Sequence, residues 1–154
     1  MSRALVELYT DGAWSGNPGV GGWAAILRFG PYEKEMTGAD PHTTNNRMEL
    51  TAVIEGLKAL NRPCRVEVYS DSAYVVNALN QHWLSNWKKN NWKNAAKQPV
   101  SNQDLWQALD ELLALHYVRF HKVPCHADHA LNNRCDALAV RAVKEFKEKA
   151  ENGD

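Results

Sequence analysis

Arg3-Ala4-Leu5-Val6-Glu7-Leu8-Tyr9-Thr10-Asp11-Gly12, near the start of the sequence, is a largely apolar, β-prone run that stops at an acid and a glycine. It reads as a short strand, Ala4 to Thr10, buried inside a sheet and delivering Asp11 into the turn Gly12-Ala13. Open α/β sheets place their sites at that end of their strands.

The cadence Tyr-hydroxyl-Asp-small returns at Tyr69-Ser70-Asp71-Ser72, closing the apolar run that starts at Arg65. If the two strands are parallel neighbours, about 4.8 Å apart, both carboxylates emerge at one end of the sheet. A buried pair of like charges is costly unless a cation or a shared proton compensates it, so the pair is a candidate metal site. Two unrelated Asp residues, each capping a helix, would give the same echo.

The 154 residues fit one domain, with 44% hydrophobic residues and six Trp to build its core. The amino terminus has no signal-peptide pattern, and no apolar run approaches the length of a membrane span; a soluble, cytoplasmic protein is expected. The three cysteines, Cys64, Cys125 and Cys135, cannot all pair within the chain and show no Cys-x-x-Cys spacing, which favours reduced thiols over a disulfide framework. The net charge of zero hides an asymmetry, because the segment from Ser72 to Gln103 carries four Lys and no other charged residue. A basic region therefore faces an acidic remainder.

After the first strand, Trp14 to Gly22 is rich in Gly and Pro and reads as a turn. Strands Trp23 to Phe29 and Tyr32 to Thr37 complete an antiparallel meander, the last of them an exposed edge. A helix from Asn46 to Leu60 puts Glu49 on the stripe of Val53, Leu57 and Leu60, so this acid points toward the sheet. A first-turn acid complementing the helix dipole is the alternative. The strand Arg65 to Ser70 follows, then a helix Ala73 to Leu79. Next come Trp83, Trp87 and Trp92, interleaved with Lys88, Lys89, Lys93 and Lys97. Flat rings beside cations suit a nucleic-acid backbone; a satellite core with Lys stems draped over it is the competing reading. Asn102 is expected to cap a helix from Gln103 to Ala114, before a fifth strand, Tyr117 to Val123. The last helix, Asn132 to about Ala150, is expected to bury Leu138, Ala142, Val143 and Phe146 and to carry Asp136 in its first turns.

Taken together, Tyr-Thr-Asp-Gly, Gly-Asn-Pro-Gly, Thr-Thr-Asn-Asn-Arg-Met-Glu-Leu, Ser-Asp-Ser, Asn-Trp-Lys-Lys and His-x(5)-Asn-x-Arg-Cys-Asp form an ordered set. Over essentially its whole length the chain resembles bacterial type 1 ribonuclease H. The resemblance implies an α/β ribonuclease H-like fold, a five-stranded mixed sheet of order 3-2-1-4-5 flanked by helices on both faces. It implies one catalytic domain over residues 1–154, with a basic protrusion at about 81–98 and a polar tail at about 148–154. The implied activity is hydrolysis of the RNA strand of an RNA/DNA hybrid, leaving 5′-phosphate and 3′-hydroxyl ends. No unassigned apolar stripe remains in the sequence, so a monomer without an obligate protein partner is expected.

By the same resemblance the metal-binding acids are Asp11, Glu49, Asp71 and Asp136, holding two Mg²⁺ ions, with Mn²⁺ as a substitute. Two ions about 3.5–4 Å apart can activate a water and stabilise the leaving oxygen at once, and hard cations prefer such oxygen ligands. His126 matches a histidine that assists proton transfer or product departure. Gly12, Asn17, Asn45 and Asn46 would lie along the minor groove, where 2′-hydroxyls mark RNA. Thr44 and Asn102 match residues that hold a DNA phosphate, and Trp83, Trp87, Lys88, Lys89 and Trp92 match a protrusion that packs on the DNA strand. Such contacts read shape and backbone, so little sequence specificity is expected.

The family's glycine-rich loop is here Pro124-Cys125-His126-Ala127-Asp128-His129, which is expected to be stiffer. Taken alone, His126 with Cys125, His129 and Cys135 also suggests zinc, but the spacing matches no compact zinc module. A hybrid-binding module without catalysis is disfavoured by the presence of all four acids. An exonuclease of this fold would usually carry Asp-x-Glu where the chain has Asp11-Gly12-Ala13. A phosphohydrolase using Asp11 as nucleophile would show Asp-x-Asp and have no use for the Trp and Lys segment.

Overall fold

The computed structural model describes residues 4–16, 19–123 and 130–151. Its elements are β1 (Leu5–Gly16), β2 (Gly19–Phe29), β3 (Tyr32–Thr43), α1 (Asn45–Lys58), β4 (Arg65–Ser70), α2 (Ala73–Asn80), α3 (Trp83–Lys89), α4 (Gln103–Leu113), β5 (Tyr117–Lys122) and α5 (Ala130–Glu151). They build a five-stranded sheet of order β3-β2-β1-β4-β5. Strands β1, β2 and β3 pair antiparallel, whereas β4 is parallel to both β1 and β5. The return from β1 to a parallel β4 is made through α1, as a parallel neighbour requires.

Alternation in the strands sorts the core into two layers. Val6 and Leu8 of β1, with Val66 and Val68 of β4, face Leu50, Val53, Ile54 and Leu57 of α1. Across the sheet, Tyr9, Ala24 and Ile26 meet Leu131, Cys135 and Ala139 of α5. The middle of β1, Leu8 to Asp11, is therefore buried on both faces. Strand β3 is exposed over most of its length, as expected for an edge carrying Lys34 and Glu35.

The sequence reading needs correction at the glycine-rich hairpin. Strand β1 does not end before Asp11 but continues to Gly16, and β2 begins at Gly19, so the stretch taken for a turn is mostly paired strand. Glycine there serves close packing: a Cβ on Gly22 would lie 2.7 Å from the Ala139 carbonyl oxygen of α5. The conformational cost of glycine in a strand is accepted so that the helix can lie against the sheet. Strand β3 likewise runs six residues beyond Thr37, to Thr43.

Two further expectations shift. The buried stripe of α5 is Leu131, Cys135, Ala139 and Val143; Leu138, Ala142 and Phe146 are only half-buried. Asn102 occupies the position before α4, but in a left-handed conformation (φ 60°) and without a side-chain capping bond.

Trp106 of α4 is fully buried; its ring meets Trp87 edge-on at 5.3 Å, and its Nε1 donates to the Tyr74 hydroxyl at 2.9 Å. Trp106→Ala is expected to cost about 3–5 kcal/mol, read as a lower denaturant midpoint at an unchanged denaturant slope. A loss below about 1 kcal/mol would mean that Trp106 does not anchor α3 and α4 to the core.

Candidate active site

The parallel ladder between β1 and β4 sets the geometry of the acids. Its last pair is Tyr9 with Tyr69, so Asp11 and Asp71 each stand two residues beyond the same rung. Strand β4 then gives way to a turn fixed by two hydroxyls: Ser70 Oγ accepts the Ser72 N–H (3.0 Å), and Ser72 Oγ caps α2 by accepting the Val75 N–H (3.2 Å). Asp71 sits between these serines. Helix α5 closes the point of divergence, since Cys135 Sγ donates to the Tyr9 carbonyl (3.2 Å) and Asn132 Nδ2 to the Tyr69 carbonyl (3.4 Å).

From the opposite face α1 delivers Glu49. Thr44 starts this helix, its Oγ1 accepting the Arg47 N–H at 3.3 Å. Gly12 allows the helix to approach, because a Cβ there would lie 2.9 Å from the backbone nitrogen of Glu49. Glu49 is buried, as its place on the core stripe predicted.

Oxygens of Asp11, Glu49 and Asp71 come within 4.8 Å of one another, a cluster able to hold a metal ion. Burial, then the Asp71 charge, push Asp11 up to about 7, with Asp136 adding to the rise; the Gly12 N–H, donated to Asp11 Oδ1 at 2.9 Å, works against it. Burial, then Asp11 and Asp71, raise Glu49 well above the usual carboxylate range. Glu49 Oε2 is buried without a hydrogen-bond partner. An orphaned buried oxygen in an all-carboxylate set fits a hard divalent cation, which would supply the missing charge and coordination. Asp136 is exposed in the second turn of α5, outside the cluster of three but near enough to Asp11 to add to the rise in its pKa.

Thr44 and Asn102 lie at the starts of α1 and α4, and Arg47 ties the two together. Its Nη1 donates to Asn102 Oδ1 (3.3 Å), and both Nη atoms hold the Asp104 carboxylate, at 3.0 and 2.8 Å. Asn102 Nδ2 in turn donates to the Tyr74 hydroxyl (3.1 Å). This side-chain support replaces the capping role expected of Asn102. Arg47 and Tyr74 were missed in the sequence because their partners lie 55 and 28 residues away. Asn45 is half-buried and Asn46 exposed at the first turn of α1, beside Thr44.

Trp83, Trp87 and Trp92 are half-buried and packed against the core, so their apolar faces partly serve the structure. Lys88 pairs with Asp110 at 3.2 Å, whereas Lys89, Lys93 and Lys97 are exposed. The segment thus combines both readings of its composition: packed rings and a cationic surface. Asn17 and His126 lie outside the described residues, as do Cys125 and His129. Burial pushes the Cys135 thiol up, and its Sγ is engaged by the Tyr9 carbonyl, which disfavours it as a zinc thiolate.

The ribonuclease H family model matches residues 3–144. The chain is 61% identical over 140 residues to a ribonuclease H of Chlorobaculum parvum, covering 91% of this chain and 96% of that one. It belongs to the ribonuclease H family. Among solved structures, LC9-RNase H1, described as a type 1 RNase H with the type 2 active-site motif, superposes with a TM-score of 0.84 at 29% identity, over 94% of this chain and 74% of that one. LC11-RNase H1, solved in complex with an RNA/DNA hybrid, shares the fold with a TM-score of 0.71 at 22% identity, over 92% of this chain and 98% of that one. Within the ribonuclease H fold, the mixed sheet is the device that brings Asp11 and Asp71 to one edge, and α1 and α5 bring the remaining acids from either face. Among the described residues, no helix is long and apolar enough to cross a membrane.

Proposed function

We propose that this ribonuclease H hydrolyses the RNA strand of RNA/DNA hybrids with two divalent cations, Mg²⁺ with Mn²⁺ as a substitute, leaving 5′-phosphate and 3′-hydroxyl ends. The observation that carries the reading is the buried cluster of Asp11, Glu49 and Asp71 in a chain of this family. Bound there, the cations supply Lewis acidity and a water of lowered pKa. Asp11, Glu49 and Asp71, with Asp136 on α5 beside them, would hold these cations. The rigid backbone beneath them keeps the carboxylates oriented, so little reorganisation accompanies the reaction. His126 would move a proton or assist product departure, as an imidazole can near neutral pH.

The same proposal assigns the substrate contacts. Gly12, Asn17, Asn45 and Asn46 follow the minor groove, Thr44 and Asn102 hold a DNA phosphate, and Trp83, Trp87, Lys88, Lys89 and Trp92 carry the DNA strand. Arg47 supports this surface from behind. A hybrid presents both a 2′-hydroxyl strand and a DNA strand, which neither an RNA nor a DNA duplex can offer. The protein would work as a cytoplasmic monomer.

The test is cleavage of a 5′-labelled RNA strand presented single-stranded, in an RNA/RNA duplex and in an RNA/DNA hybrid, with Mg²⁺, Mn²⁺ or chelator. Internal cuts in the hybrid alone, lost with chelator, are expected. An intact hybrid that is bound with steep salt dependence would instead make the chain a binding module.

A further inference from the structure

We infer that the Tyr74 hydroxyl is a further substrate-binding group: it gives its proton to the same DNA phosphate that Thr44 and Asn102 hold, as one half of a donor pair with the Asn102 amide. The inference rests on the hybrid-binding surface proposed above and adds to it a residue that lies in none of the sequence motifs.

Donor chemistry fixes the direction of every bond around this hydroxyl. Arg47 can only donate, so the Asn102 atom 3.3 Å from its Nη1 is Oδ1, and Nδ2 is turned toward Tyr74. The Tyr74 oxygen receives Asn102 Nδ2 at 3.1 Å and Trp106 Nε1 at 2.9 Å. Amide and indole nitrogens donate and do not accept, so both lone pairs of the hydroxyl are filled from the protein side. Its proton can return to neither. Among the described residues no group accepts that proton, and the second proton of Asn102 Nδ2 is also uncommitted. Tyr74 and Asn102 are both half-buried. Two donor atoms 3.1 Å apart, each with a proton to spare, fit two oxygens of one anionic group.

Three helices hold this pair in place. Tyr74 stands in the first turn of α2, and the fully buried Trp106 fixes it from α4, with ring centroids 5.5 Å apart. Asn102 is set by its left-handed backbone at the start of α4. Arg47 ties it to the start of α1, where Thr44 caps the helix. The dipole of α1 favours an anion beside Thr44. Asp104 takes up the charge of Arg47, at 3.0 and 2.8 Å, so what is left for a ligand is a set of neutral donors held at fixed positions. In a duplex, the group that offers a protein surface adjacent acceptor oxygens at every nucleotide is the phosphate. Preformed donors of this kind fix the register of a backbone without reading its bases.

The experiment scans the hybrid with single methylphosphonates, each of which removes an acceptor oxygen and its charge, placed in turn along the DNA strand and along the RNA strand. Kd is measured in chelator, where nothing is cut; KM and kcat are measured with Mg²⁺ on the unmodified hybrid. Tyr74→Phe keeps the ring and removes only the hydroxyl. Its Kd and KM are expected to rise about tenfold, with a smaller fall in kcat and an unchanged salt slope. At one DNA-strand position the methylphosphonate should cost the wild type about tenfold or more, and Tyr74→Phe several-fold less. Asn102→Ala should show the same relief at the same position. Trp106→Phe removes a bond to this hydroxyl but leaves its proton, so it should lower the denaturant midpoint and still suffer the full methylphosphonate loss. Undiminished losses for Tyr74→Phe at every DNA position, relief at different positions in Tyr74→Phe and Asn102→Ala, or relief on the RNA strand alone would each overturn the assignment. So would equal relief in Trp106→Phe, or a lower salt slope in Tyr74→Phe, the mark of a displaced basic segment. Failure of the wild type to cut the hybrid would overturn the proposed hydrolysis instead, while the affinities in chelator still decide Tyr74.

Discussion

Asp11→Asn is expected to lower hydrolysis of the hybrid by about 10³-fold or more while making the metal-free protein more stable. Loss of a central ligand removes several kcal/mol of charge stabilisation in the transition state. The stability effect has the opposite sign because Asp11, Glu49 and Asp71 repel one another in the absence of a cation. Asp11 titrates at about 7 in the folded chain, against about 3.9 when unfolded. Between those values the folded protein holds a proton that the unfolded chain has released. Metal-free stability should therefore be greatest at the acid end and fall as pH rises from about 4 to about 7. Asn cannot ionise, and its Oδ1 can still accept the Gly12 N–H. At pH 8 in chelator the variant should gain about 1–2 kcal/mol, or roughly 2–8 °C in thermal midpoint.

Mg²⁺ should reverse the order. A cation at 100 times its Kd stabilises the wild type by about 2.7 kcal/mol, and the variant, short of a ligand, gains little. Thermal scans with and without Mg²⁺ should thus cross. Parallel shifts in both proteins would place the cation elsewhere.

Gly12→Ala should disable the site by a purely geometric route. The added methyl would sit 2.9 Å from the Glu49 backbone nitrogen and 3.0 Å from the Met48 Cβ. Backbone cannot rotate out of the way, so α1 must move back and take Glu49 with it. A displacement near 1 Å at reacting groups costs about 10²-fold, and the forced fit costs about 1–3 kcal/mol of stability. Turnover and denaturant midpoint of Gly12→Ala check both, and full activity with an unchanged midpoint would show that α1 yields without carrying Glu49.

Much of this site was legible in the chain. The Asp-small endings at Asp11 and Asp71, and the stripe that turns Glu49 inward, depend on local spacing, and local spacing is what a sequence displays. The hairpin was not legible, because glycine and proline signal turns unless a helix elsewhere demands close approach, and Gly22 answers to Ala139, far along the chain. The half-buried state of Trp83, Trp87 and Trp92 was likewise hidden, since composition does not say which face of a ring is covered. Arg47 looked like an ordinary helix residue; only the fold brings Asn102 and Asp104 to it. Asn102 itself looked like a cap, and the left-handed backbone that redirects its side chain has no mark in sequence.

The line of rings from Trp83 through Trp87 to Trp106, with centroid steps of 6.4 and 5.3 Å, fastens the basic segment to the core. Its continuation is held by backbone, with the Trp92 N–H donated to the Trp87 carbonyl at 2.7 Å and the Val100 N–H to the Trp92 carbonyl at 3.1 Å. A duplex arriving there would meet a surface that is already ordered. It would need to immobilise lysine side chains, at about 0.5–1.5 kcal/mol each, but would be spared the 2–5 kcal/mol or more of a segment that folds on contact. Preorganisation of this kind leaves capture limited by encounter, and makes its rate a matter of charge steering and ionic strength.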